Sequence, residues 1–215
     1  MDGAVVQADH FPVTEAASAC AVLRQALQRP YLMDYRFQSV EVVAEVPTTI
    51  VPLEHFRKGD MVAFYRLSFP TQQVSVSDMQ YQILTSLETV MIFRLEQDIL
   101  RTVQEYYPDA RVVCGDGERL LSIAAAQSQS AAPADDGQRD AYVCVDGGQL
   151  FVAVFHRGAL QYAASQPADN DPDRLYLLLG IWKALDMHVS RDVCHLQGAS
   201  DGMRAMLGEY LLNVE

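Results

Sequence analysis

Hydrophobic and polar positions change their period most sharply over residues 140–166. There Tyr142, Cys144 and Asp146 interleave with Val143 and Val145, whereas 149–155 is apolar almost throughout. Alternation marks a strand with one wet face, and an unbroken apolar run marks a strand covered on both. Asp146-Gly147-Gly148 and Arg157-Gly158 divide the stretch into three runs, so a meander of three antiparallel strands is predicted. Beyond it Leu175, Leu178, Leu179, Trp182 and Leu185 recur at steps of three and four, the period of a helix, with Asp171 and Pro172 as its cap and first turn. A strand over 192–197, a turn over 198–201 and a helix over 203–212 follow, the last with Met203, Met206, Leu207, Tyr210 and Leu211 turned inward.

The first 126 residues alternate in the same way. Thr14 is placed to cap a helix through Ala16, Ala19, Val22, Leu23 and Leu27 that stops before Pro30. Strands are predicted over 39–46, 48–51, 74–76, 79–85, 89–93 and 111–114, and helices over 53–67, 95–107 and 118–126. In the run 79–85, Met79, Tyr81 and Ile83 alternate with Gln80 and Gln82, which predicts the glutamines on the wet face. Residues 127–137, QSQSAAPADDG, are poor in large apolar groups and read as a linker. The expected organisation is therefore residues 1–126, a linker over 127–137, and residues 138–215. Strands interspersed with helices, together with the meander, imply an α/β protein with a mixed sheet.

Composition narrows the function more than the fold. At 215 residues, half of them hydrophobic, the chain has enough material for a sizeable core. A formal net charge of −12 argues against nucleic-acid binding, which requires clustered Lys and Arg. No run of some eighteen uncharged apolar residues predicts a membrane span. The N-terminus lacks the basic start and apolar core of a signal peptide, so a cytoplasmic location is expected.

Candidate chemistry is sparse. Cys20, Cys114, Cys144 and Cys194 form no paired ligand spacing, so they are expected to be packed thiols and no metal site is expected. There is no GxSxG elbow, P-loop or GxGxxG. His156 and His195 lie inside strand-like runs and are expected to be satisfied sheet residues. Asp135 and Asp136 read as solvated linker charges, and Asp169 and Asp171 as flanking a helix start. An aromatic concentration at Tyr31, Tyr35, Phe37, Phe64, Tyr65 and Phe69 is expected to serve the core, or a protein-docking patch where exposed.

PTTIVPLEHF, the strand pair within 79–93, the helix ending EYYPDA, and DGGQLFVAVFHRGALQYAAS followed by a leucine-rich helix and VCHLQGAS form a familiar series. Over about residues 30–215 the chain resembles an uncharacterised bacterial family with the actin-like ATPase, or duplicated ribonuclease-H-like, fold. More distantly it is similar to the actin-like protein of type IV pilus assembly. The resemblance implies a phosphate loop at Asp146, Gly147 and Gly148, an adenosine-packing turn at Gly198, Ala199 and Ser200, and ATP with Mg as cofactors. It also implies a first hairpin that residues 1–11 do not supply, and a continuation beyond LLNVE, so a shortened or trimmed member is expected. Gln149 and Leu150 stand where the family has a hydroxyl residue, and Gln197 replaces a glycine. The implied function is a binding or scaffold module without catalytic residues, engaging a protein partner or a second copy; the alternative is a weak ATP-binding ATPase.

Overall fold

A computed structural model describes residues 9, 11, 18–33, 36–129 and 137–215. Thr14, Ala16, Tyr35, Asp135 and Asp136 lie outside them. In chain order the elements are α1 (Ala19–Leu27), α2 (Pro30–Met33), β1 (Glu41–Ala44), β2 (Thr48–Pro52), α3 (Met61–Ser68), β3 (Met79–Leu84), β4 (Thr89–Arg94), α4 (Gln97–Tyr106), β5 (Arg111–Cys114) and α5 (Gly115–Gln129). They continue with β6 (Arg139–Asp146), β7 (Gln149–His156), β8 (Ala159–Pro167), α6 (Asp171–Ala184), β9 (Val193–Gln197) and α7 (Asp201–Gly208).

Two compact units result, one from residues 1–44 and 95–113, the other from 45–94 and 114–215. In the first, Ser18 caps α1 by accepting from Ala21 N, and α1 packs along α4. Arg24 pairs with Glu105 at 3.5 Å, the Tyr107 hydroxyl donates to Leu32 O at 3.1 Å, and β1 pairs with β5.

The second unit contains two sheets. In the smaller, β4 lies between β2 and β3, antiparallel to both. Met61 and Tyr65 of α3 cover one face, closing a core with Val51, Met79, Val90 and Ile92. The larger sheet runs β8-β7-β6-β9, with the predicted meander antiparallel and β9 parallel to β6. Leu150, Val152 and Val154 of β7 meet Leu178 and Trp182 of α6 and Met203 and Leu207 of α7 in the main core. Residues 213–215 add a parallel segment beside β9, joined by Cys194 N to Asn213 O and Glu215 N to Cys194 O, both at 2.9 Å.

Several local expectations differ: Tyr210, expected to turn inward from the last helix, is 52% exposed and lies beyond α7, and residues 127–129, expected in the linker, end α5. The strand expected over 74–76 does not form: 74–75 lie in no element and Val76 opens a 3₁₀ turn, where the Ser75 hydroxyl accepts from Ser77 N and closes the chain locally. The stretch 53–67 is two 3₁₀ turns and then α3, with Gly59 inside the second turn. A further difference is in β3, where Met79 is buried as expected but the burial inverts from Tyr81 on. Gln82 is 6% exposed whereas Tyr81 and Ile83 are 38% and 48% exposed. Gln82 is buried because its amide is satisfied there: its oxygen accepts from Cys114 N at 2.8 Å and its nitrogen donates to Glu118 at 2.6 Å.

Candidate functional site

Because β6 and β9 run parallel, with Cys144 level with Gln197, their C-terminal ends emerge side by side. Asp146-Gly147-Gly148 and Gly198-Ala199-Ser200 therefore adjoin. The approach is close at Gly198, where an added β-carbon would stand 2.2 Å from Val145 O. Its φ of +72° is also one that side chains avoid, so glycine is required twice over.

The β6–β7 turn is held from inside the protein. Gly147 adopts φ +56°, and its carbonyl accepts from Arg174 Nη2 at 2.8 Å. Arg174 also donates through Nε to Ala168 O at 3.0 Å and through Nη1 to Asp171 at 2.8 Å. Gly148 O accepts from Ala168 N at 2.8 Å, and a β-carbon on Gly148 would stand 2.7 Å from Asp169 Oδ1.

The second turn is tied to the same group. The Ser200 hydroxyl donates to Asp171 and accepts from Met203 N, capping α7. The bond from Ser200, and then that from Arg174, hold the Asp171 carboxyl below its ordinary range. Asn170 is the cap of α6, accepting from Asp173 N, which leaves the linking role to Asp171. Ala199 packs against the main core.

Asp146 lies at the edge of a second polar node. Although 73% exposed, its carboxylate meets Arg119 Nη2 at 3.3 Å. Arg119 binds Glu45 at 2.9 and 3.2 Å and Asp116 at 3.0 Å. Asp116, 4% exposed, also accepts from Thr48 at 3.0 Å and Ser165 at 2.9 Å, joining β2, α5 and β8. A carboxylate this deep is tolerable only when charge-paired and hydrogen-bonded, and here both conditions hold. Burial by itself would lower the pKa of Arg119, but Glu45 and Asp116 raise it, so the guanidinium stays charged. Burial pushes the nearby Cys144 thiol up, away from nucleophile chemistry.

The remaining candidates are engaged structurally. His195 stacks on Tyr142 with ring centroids 4.5 Å apart, between Asp140 at 3.1 Å and Glu215 at 3.2 Å. His156 lies 3.5 Å from Gln161. Among the described residues no group of three or more His, Cys, Asp or Glu side chains is arranged to hold a metal, and no helix is long and apolar enough to cross a membrane.

Arg119, Arg174, Asp116 and Glu45 were not among the residues singled out from the sequence. Two pairs had a local signal, the i,i+3 spacings of Asp171 with Arg174 and of Asp116 with Arg119, each at the start of a helix. The rest of the Arg119 node draws on segments spread from Glu45 to Ser165 and leaves no local pattern.

A parallel strand following an antiparallel meander, with helices packed on the sheet, is the architecture of the actin-like ATPase fold. A crystal structure of a Bacteroides thetaiotaomicron protein with actin-like ATPase fold and unknown function matches with a TM-score of 0.80 at 24% identity, over 94% of this chain and 77% of that one. The chain belongs to the family described as "Protein of unknown function (DUF3822)", whose model matches residues 2–211. A PilM–PilN type IV pilus biogenesis complex is also similar, with a TM-score of 0.49 at 13% identity, over 94% of this chain and 76% of that one. No curated protein matches.

Proposed function

We propose that this chain is an actin-like domain that works by binding another protein chain and does not hydrolyse ATP. The engagement of its phosphate-loop residues carries this reading. An actin-like ATPase needs the acidic residue free to order a metal-bound water and the glycine turn open to phosphate. Here Asp146 faces Arg119, and Arg174 occupies the Gly147 carbonyl from within. A metal-bound nucleotide would have to draw Arg119 away from Asp146 before that carboxylate could order a metal-bound water. On this reading Asp146 serves as an ion-pair partner of Arg119, and no hydrolytic step is assigned to it.

One observation favours a second reading, a weak ATP-binding protein. The approach of Gly198 to Val145 O sets the two glycine turns together, as that reading requires. Asp146, Gly147 and Gly148 would then face phosphate, and Gly198, Ala199 and Ser200 adenosine. Calorimetric titration with Mg-ATP separates the two. The binding-module reading expects no heat at submillimolar nucleotide and no phosphate release. Submillimolar binding that disappears in Asp146→Ala would overturn it.

A further inference from the structure

We infer that the outer edge of β3 is a self-pairing surface, through which two copies of this chain join their small sheets antiparallel about a twofold axis. In the second unit the β2 and β8 edges each end in a proline, at Pro52 and Pro167, a common block to strand addition. The outer side of β9 is occupied by residues 213–215. The β3 edge carries no such block. Its sequence, Met79-Gln80-Tyr81-Gln82-Ile83-Leu84, contains neither charge nor proline, and among the described residues no strand lies beyond it.

The side chains say which partner suits this edge. Tyr81 and Ile83 lie on one face and are the exposed apolar residues of the strand. Phe56 supports Tyr81 at a ring separation of 5.1 Å, and the Lys58 ammonium stands 5.8 Å from the same ring. Antiparallel pairing centred on Gln82 sets Tyr81 opposite Ile83 of the other copy, twice by symmetry. Aromatic and β-branched residues form favourable cross-strand pairs. In the same register Gln80 faces Leu84 and Gln82 faces Gln82, so no like charges oppose, although each chain carries −12 overall. A second copy thus sets exposed apolar side chains against each other with no charge opposed along the edge, and a twofold axis closes the pairing at two chains.

This deepens the binding-module reading and rests on it for its biological sense, but the two fail separately. ATP hydrolysis by the protein would end that reading and leave the strand pairing untouched. The pairing is tested by sedimentation equilibrium of the full chain over a concentration series. A monomer–dimer equilibrium with a Kd of about 1 mM or tighter is expected, weakened at least tenfold in Tyr81→Glu and in Ile83→Lys. Both residues are exposed, so unchanged circular dichroism should accompany the loss. Mixing the two variants sets the introduced carboxylate of one chain opposite the introduced ammonium of the other and should restore the dimer. A chain that stays monomeric, a dimer indifferent to both substitutions, or a mixture no tighter than its components would each overturn the proposal.

Discussion

Single residues decide how closely the strand ends approach, and two glycines separate conformation from space. Gly147 has a positive φ but nothing within 4 Å of an added β-carbon, whereas Gly198 combines positive φ with a β-carbon position 2.2 Å from Val145 O. Gly147→Ala should therefore cost only the strain of a left-handed residue, about 1 kcal/mol. Gly198→Ala must in addition push β9 away from β6 and should cost about 3 kcal/mol or more. Urea unfolding of the two variants measures the difference, and equal losses would mean that the approach at Gly198 is not a constraint. The glycines were legible from the sequence as turns. Which of them is crowded was not, because the crowding atom belongs to Val145, in a strand separated from Gly198 by the rest of the meander and by α6.

At the scale of elements, legibility followed locality. The meander, α6 and the β9–α7 turn were written in periods and breakers a few residues apart, and each was found over those residues, with Asn170 in place of Asp171 as the α6 cap. The faces of β3 were not, because Gln82 is buried by partners in β5 and α5, and tertiary hydrogen bonding overrode its polarity. The segment 213–215 was missed for a related reason: parallel pairing beside β9 uses backbone groups that any sequence supplies. Arg174 is the element-scale counterpart of Gly198. From α6 it satisfies carbonyls of the β6–β7 turn and of Ala168, and it pairs with Asp171. Arg174→Met keeps much of the apolar stem but removes these bonds, and should cost about 2–4 kcal/mol. Hydrogen exchange should quicken first at Ala168, whose N–H donates to Gly148 O across the turn that Arg174 holds. Uniform quickening across the large sheet would contradict this localised role.

The buried ionisable groups give the whole molecule a stability curve with two limbs of different origin. Asp192 is fully buried; burial alone would raise its pKa, but hydrogen bonds from His188 N and Arg139 N, with Arg191, hold it below the ordinary value. A depressed carboxyl pKa contributes stability that is present above the unfolded value, about 3.9, and lost as pH falls through the folded one. Self-repulsion vanishes near the sequence pI of 4.7, so the acid limb should begin below about pH 4 and not at the first loss of net charge. The alkaline limb has the opposite sign. Burial raises the Cys114 and Cys194 thiols from 9.0 to about 12. Their contribution is complete below the unfolded value and is lost as pH rises toward the folded one. Over that interval each thiol withdraws about 1.4 kcal/mol per pH unit, about 2.8 together, against a typical total of about 5–15 kcal/mol. Urea midpoints should therefore decline steeply from about pH 9. The double variant Cys114→Ala, Cys194→Ala should start lower at pH 7, from lost packing, yet decline less steeply above about pH 9. An unchanged alkaline slope would assign the limb to other groups, with Tyr65, whose pKa burial also raises, the next to substitute.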